Sequence, residues 1–236
     1  MESDKLVGKN MRRWELDERL RARFERDAST CPACSRVVTI SRQLGSGGTH
    51  VANLLAQELD YQVYDKDVVS QVAETWGADP EQIAWLDEQQ PDMWGNLVLQ
   101  LLEGKRSSEA TYLRTLVKVI KKIASQGNAI IVGRAATCIL HDSYRVRLVA
   151  PEALRIERIA EIRKADEKTA RRMVQDSDRQ RTRFIRTFFG GDPKDPLAYD
   201  IVINTERCTL DDAAHLIKQG VMDRQALVMK KISQAK

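Results

Sequence analysis

The stretch Val38-Thr39-Ile40-Ser41-Arg42-Gln43-Leu44-Gly45-Ser46-Gly47-Gly48-Thr49 joins a β-branched apolar run directly to a glycine cluster. Val51, Leu54, Leu55 and Leu59 then recur at helical spacing, so the glycines fall at a helix N-terminus. Backbone N–H groups freed at such a turn, together with the positive end of the helix dipole, form a concave anion site of phosphate size. Gly45, Ser46, Gly47, Gly48 and Thr49 are therefore candidate phosphate binders, although an ordinary glycine-rich strand-to-helix turn has the same composition. Against the pattern G-x-x-x-x-G-K-[ST] the spacing holds from Arg42 through Gly47 to Thr49, with Arg42 in place of the first glycine and Gly48 in place of the lysine. Thr49 still falls where a hydroxyl ligates Mg²⁺. Moving a phosphoryl group requires neutralising charge spread over its equatorial oxygens. The ammonium missing at position 48 must then come from elsewhere, and Arg42 is the nearest cation.

Hydrophobic spacing also indicates the elements that must hold this loop. From residue 36 onward, short β-branched runs alternate with helical periods, which argues for a parallel sheet covered by helices. Five strands are expected, at 36–41, 61–64, 129–132, 145–149 and 199–203. A long, mostly helical insert separates the second strand from the third. Its last helix takes Ser107 or Ser108 as cap, turns Leu113, Leu116, Val117, Ile120 and Ile123 to the core, and stops at Gly127. Thr209, with Asp212 three residues on, opens a final helix expected to close before Gly220.

The 236 residues accommodate one α/β domain, residues 36–236, with a charged helical arm at residues 1–35. Met11, Leu16, Leu20 and Phe24 give the arm a thin apolar stripe suited to the domain surface or to a second copy in a homodimer. No apolar run reaches the roughly 18 residues a membrane helix needs. The start, Met1-Glu2-Ser3-Asp4-Lys5, lacks a signal-peptide stretch, so a cytoplasmic location with reduced cysteines is expected. A net charge of +4 is too small to indicate a nucleic-acid partner. The arm's arginines alternate with acids and read as a solvated helix face.

Several stretches, in this order and spacing, resemble the cytidylate-kinase-like family of nucleoside-monophosphate kinases, in the branch with an altered P-loop. They are Ile40-Ser41-Arg42-Gln43-Leu44-Gly45-Ser46-Gly47-Gly48, Tyr64-Asp65-Lys66-Asp67, Ile130-Ile131-Val132-Gly133-Arg134-Ala135, Phe188-Phe189-Gly190, Asp195-Pro196 and Tyr199-Asp200-Ile201-Val202-Ile203-Asn204-Thr205. The resemblance implies a three-layer P-loop kinase fold with a five-stranded parallel sheet, a helical acceptor-binding insert and an arginine-rich lid at about residues 155–186. It also implies ATP as phosphoryl donor, Mg²⁺ as cofactor and a small-molecule nucleotide as substrate. Where true cytidylate kinases end the third strand in Asp-Gly-Arg-Asp, this chain keeps Gly133 and Arg134 and loses both acids; loss of the first weakens the expected outer hold on Mg²⁺. Arg134 carries over as a candidate acceptor-phosphate ligand, since a guanidinium fork matches phosphate oxygens, with a surface ion pair as the competing explanation. Asp65 and Lys66 fall where the acceptor region begins. Asp65 suits a sugar hydroxyl or a metal-bound water, and equally a structural turn. Asp178…Arg181 looks like the lid's Asp-x-x-Arg, which makes Arg179 and Arg181, with Arg42, the expected catalytic cations; a solvated basic helix is the competing explanation.

Phosphoryl transfer from ATP to a nucleoside monophosphate, CMP first, is the reading that follows. A nucleotide-binding sensor or scaffold that has lost catalysis along with the lysine and the acids is the alternative. Cys31-Pro32-Ala33-Cys34, with only His50, His141 and His215 elsewhere, falls short of the ligands zinc needs. Trp76, Trp85 and Trp94 in the insert read first as packing residues.

Overall fold

A computed structural model of the protein describes residues 35–65 and 108–234. The expected arm, Cys31 and Cys34, Lys66, and the part of the insert carrying the three tryptophans lie outside the described residues.

Five strands form one sheet: β1 (Val37–Arg42), β2 (Gln62–Tyr64), β3 (Ala129–Val132), β4 (Tyr144–Val149) and β5 (Ile201–Asn204), in the order β2-β3-β1-β4-β5. Every pairing is parallel. Parallel strands need crossovers that lie on the sheet faces, so the apolar residues of β1 and β3 are buried on both sides. One face packs α1 (Gly48–Leu59) and α6 (Leu210–Gln234), through Val51, Leu55, Ala214 and Ile217, onto Ile40, Ile130, Val146 and Leu148. The other packs α2 (Ser108–Gln126) and the short α3 (Ala136–Ile139), through Leu116, Ile120, Ile123 and Ile139, onto Val37 and Ile131. Each such aliphatic side chain contributes about 1.5–3 kcal/mol on burial, so this double core fixes the strand ends relative to one another. Two further helices, α4 (Glu152–Arg163) and α5 (Glu167–Phe189), pair through Ile156, Ile159, Ala170 and Val174, with Leu44 of the glycine-rich loop packed against them.

All five expected strands are present, with ends shifted by a residue or two. The last begins late because Pro196–Ala198 form a 3₁₀ turn before it. Gly127, at φ +72°, follows α2 as expected of a stop. Thr209 caps α6, accepting from the Asp212 amide at 3.1 Å. The expected end before Gly220 is not found, since α6 runs through it. A Cβ at Gly220 would lie 1.9 Å from the Tyr144 hydroxyl, so this glycine permits a close approach to β4 and does not break the helix.

Candidate active site

The loop after β1 is held by its own polar atoms and by α4. The Ser46 hydroxyl, fully buried, turns inward and donates to the carbonyls of Gln43 (2.9 Å) and Leu148 (3.2 Å). Arg155, 4% exposed, donates to the Leu44 carbonyl at 3.3 Å and the Ala150 carbonyl at 3.0 Å, and pairs with Asp178 at 2.9 Å. Arg158 donates to the Gly45 carbonyl at 3.3 Å and to both oxygens of Thr205 at 3.0 Å. These carbonyls are tied back into the fold. The N–H groups of Gly47, Gly48, Thr49 and His50 meet no backbone carbonyl among the described residues, as at any helix start. Gly45 (φ +83°) and Gly47 (φ +80°) both need the left-handed region. A Cβ at Gly45 would also lie 2.6 Å from the Arg155 carbonyl oxygen.

Gly48 is a glycine for another reason. Its φ is not in the left-handed range, yet a Cβ there would lie 2.7 Å from Arg42 Cγ and 2.9 Å from Arg42 Cβ. The stem of Arg42 therefore occupies the space into which a side chain at position 48 would grow. The guanidinium continues over Gly133, where a Cβ would sit 1.7 Å from Nη1. Nη2 reaches Asp65 Oδ1 at 3.3 Å, and Asp65 Oδ2 accepts from the Thr49 hydroxyl at 3.1 Å. Asp65 thus joins Arg42, at the start of the loop, to Thr49, at its end. Burial lowers the Arg42 pKa, partly offset by Asp65 and reinforced by Arg134 and Arg147.

Beyond β3 the backbone takes three consecutive left-handed residues, Gly133 (φ +77°), Arg134 (φ +53°) and Ala135 (φ +53°). Holding non-glycine residues there costs about 1–2 kcal/mol each, a kind of strain that clusters at functional turns. The turn brings Arg134 into the lining of a cavity of about 260 Å³, together with Ser41, Arg42, Arg147 and Arg181. Four arginines border it, and among the described residues no carboxylate does. Arg181 donates to the Arg42 carbonyl at 2.8 Å; burial, then the nearby Arg42, pull its pKa down to about 9. Arg147 donates to Ser41 Oγ at 2.7 Å and lies 5.9 Å from the centre of the Tyr199 ring. Burial lowers its pKa as well. Among the described residues, Arg134, Arg147 and Arg181 have no carboxylate within ion-pair distance. Half-buried guanidinium groups held close together favour an anion between them, and this cavity gathers four, of which only Arg42 has a carboxylate partner among the described residues.

The expected residues separate into groups. Arg42, Thr49 and Asp65 form one hydrogen-bonded cluster, and Arg42, Arg134 and Arg181 converge on the cavity. Arg179 points away from it: 72% exposed and paired with Asp176, it borders an outer groove of about 610 Å³. The Ser46 hydroxyl is committed to the loop's interior, and its amide donates to the Gln43 carbonyl at 3.2 Å, so of the expected phosphate binders Ser46 is the one whose amide is already engaged. Reading the sequence missed Arg147, Arg155 and Arg158. Arg155 and Arg158 left no pattern apart from other helix arginines. Arg147 did leave one, because Tyr144-Arg145-Val146-Arg147-Leu148 alternates as a half-solvated strand does, whereas β4 lies inside a parallel sheet between β1 and β5.

Comparison with known proteins identifies the family. The Cytidylate kinase-like family matches residues 37–207. A cytidylate kinase from Methanopyrus kandleri is 27% identical over 199 residues, covering 79% of this chain and 93% of that protein. One from Natronomonas pharaonis is 25% identical over 190 residues, covering 78% and 88%. The crystal structure of an uncharacterized protein from Eubacterium ventriosum shares the fold, with a TM-score of 0.60 at 22% identity over 80% of this chain and 99% of that one.

Proposed function

Since the chain belongs to the cytidylate kinase-like family, we propose that it transfers the γ-phosphoryl group of ATP to a nucleoside monophosphate or a similar small phosphorylated acceptor, with CMP the acceptor to test first. The observation that carries this reading is the convergence of Arg42, Arg134, Arg147 and Arg181 on one cavity beside the glycine-rich loop. Such a cavity is suited to phosphate, whose oxygens match guanidinium forks.

In this reading the amides of Gly47, Gly48 and Thr49 hold the donor phosphates, and Arg134 holds the acceptor's phosphate. Arg42 supplies the cation that Gly48 cannot. Thr49 and Asp65 present a hydroxyl and a carboxylate oxygen 3.1 Å apart, a donor set that suits a hard cation bound largely through substrate phosphates. They would hold Mg²⁺, which would supply charge neutralisation to the donor's phosphates. Arg181, on α5, would close over the reacting group and exclude water, the part expected of a lid.

The test is a panel of monophosphates with Mg-ATP followed by phosphorus NMR. Transfer to a narrow set of acceptors is the expected result. The loss of the loop lysine and of the third-strand acids favours the second reading, a nucleotide-binding sensor. ATP binding without transfer to any monophosphate, unchanged in Arg181→Ala, would decide for the sensor.

A further inference from the structure

We propose that Arg147 is a catalytic residue, a third cation on the transferring phosphoryl group, which with Arg42 and Arg181 forms a three-arginine cage in place of the loop lysine. This inference rests on the phosphoryl-transfer reading above and adds a residue to it.

The cage stands where two spaces meet. The inner cavity and the outer groove share Arg42, Arg147, Arg181 and Pro193 in their linings. The loop residue Gln43 borders the groove, and Arg134 borders the cavity. A ligand in one space and a ligand in the other would both border these three guanidiniums. In the transfer, the bond from the γ-phosphorus to the β,γ-bridging oxygen breaks, a bond to an acceptor phosphate oxygen forms, and ADP leaves. Meanwhile negative charge spreads over three equatorial oxygens, which three guanidinium groups can meet.

Arg147 is built for a fixed position. It projects from a central strand toward the sheet face that carries Ser41, and the Ser41 hydroxyl holds Nη1 at 2.7 Å. The Tyr199 ring lies beside it, with the Tyr199 hydroxyl donating to the Pro193 carbonyl at 3.0 Å. The carboxylate whose charge bears on Arg147, Asp178, is already engaged, pairing with Arg155 at 2.9 Å. A purely structural arginine on an inner strand would be expected to bring its own carboxylate. Arg145, two residues earlier, does so, lying 3.6 Å from Asp200.

The test compares Arg147→Met and Arg147→Lys in the full chain, using the best acceptor from the monophosphate panel. The Met variant should lose about 100-fold or more in kcat, as when one preorganised donor is removed from developing charge, with both KM values within about threefold. Arg147→Lys should recover about tenfold of that loss, because it restores the charge without the fork. A second readout needs no turnover: by titration calorimetry, aluminium fluoride should tighten Mg-ADP binding in wild type and not in Arg147→Met, with Mg-ADP alone binding equally to both. A near-normal kcat in the Met variant, or a change confined to the acceptor KM, overturns the cage. Absence of transfer by the wild-type chain instead overturns the function it rests on. Should Arg147→Met fail to fold, full kcat in Arg147→Lys together with unaltered aluminium fluoride binding overturns it equally.

Discussion

Gly48 and Arg42 should behave as one unit in stability measurements. A methyl group at position 48 would meet Arg42 Cγ at 2.7 Å and Cβ at 2.9 Å, each well inside the roughly 3.5–4.0 Å at which carbon atoms rest. The Arg42 Cβ is fixed by the β1 backbone and cannot swing aside as a side-chain tip would. Gly48→Ala should therefore cost about 1–3 kcal/mol, the usual range for overpacking. With Arg42 cut back to glycine the space is open, and Ala in place of Gly in the first turn of a helix should then stabilise by about 0.4–1 kcal/mol. The two effects differ in sign, so the double-mutant cycle should return a coupling of about 1.5–4 kcal/mol, large for a single pair. Urea unfolding of the four proteins measures it. A neutral or stabilising Gly48→Ala in the wild-type background would refute the packing of the Arg42 stem over this glycine. The same geometry governs activity: Gly48→Lys alone should lower transfer by displacing Arg42, whereas Arg42→Gly with Gly48→Lys should recover much of it. Equal loss in both would show that the cation cannot be exchanged across the loop.

Four further outcomes follow from the site. Gly133→Ala places a Cβ 1.7 Å from Arg42 Nη1 in a left-handed residue, so it should cost about 1–2 kcal/mol in urea unfolding and reduce kcat about as much as Arg42→Ala does. Arg155→Ala removes three polar contacts and strands Asp178, so a loss of about 3 kcal/mol in thermal or urea unfolding is expected. Asp65→Asn keeps the size but removes the charge facing Thr49 and Arg42; calorimetry should show weaker Mg-ATP binding, with ATP in EDTA little changed. Because the Arg181 pKa is pulled down to about 9, the free protein loses this cation as pH rises, and kcat/KM should fall through about pH 9 in wild type. Its folded pKa lies below the ordinary value, so the unfolded chain holds this proton more tightly, and stability without ligand should rise, not fall, above that pH.

The sheet was legible because its strands are short β-branched runs set between helical periods, a pattern that burial on both faces imposes. What misled was Gly220, which looks like a helix stop when its neighbours in sequence are considered and serves Tyr144 in space. At the site, Arg42 was legible as the nearest cation to a defective loop, and Arg134 through its place after a strand end. The contact between Arg42 and Gly48 was not, because residues six apart in a strand-turn-helix meet only once the turn is formed. Nor was the inward turn of Ser46, since a serine among glycines looks the same whether its hydroxyl faces ligand or carbonyls. Arg147 was the readable omission: arginine alternating with valine and leucine in a strand that must be central is a local rule broken, and such breaks gather at functional sites.

The polar patch on one sheet face also divides the site between sheet and helix. Ser41 and Arg147 ride on β1 and β4, whose backbones are locked by neighbours on both sides. Arg181 rides on α5, which packs mainly on α4. One half of the charge is thus anchored to the centre of the sheet and the other to a helix that meets the loop largely through α4. Amide exchange should differ accordingly, slow along β1 and β4 and faster along α5. The catalytic surface would then work as an anvil and a hammer, with only the helix-borne half having to travel between turnovers.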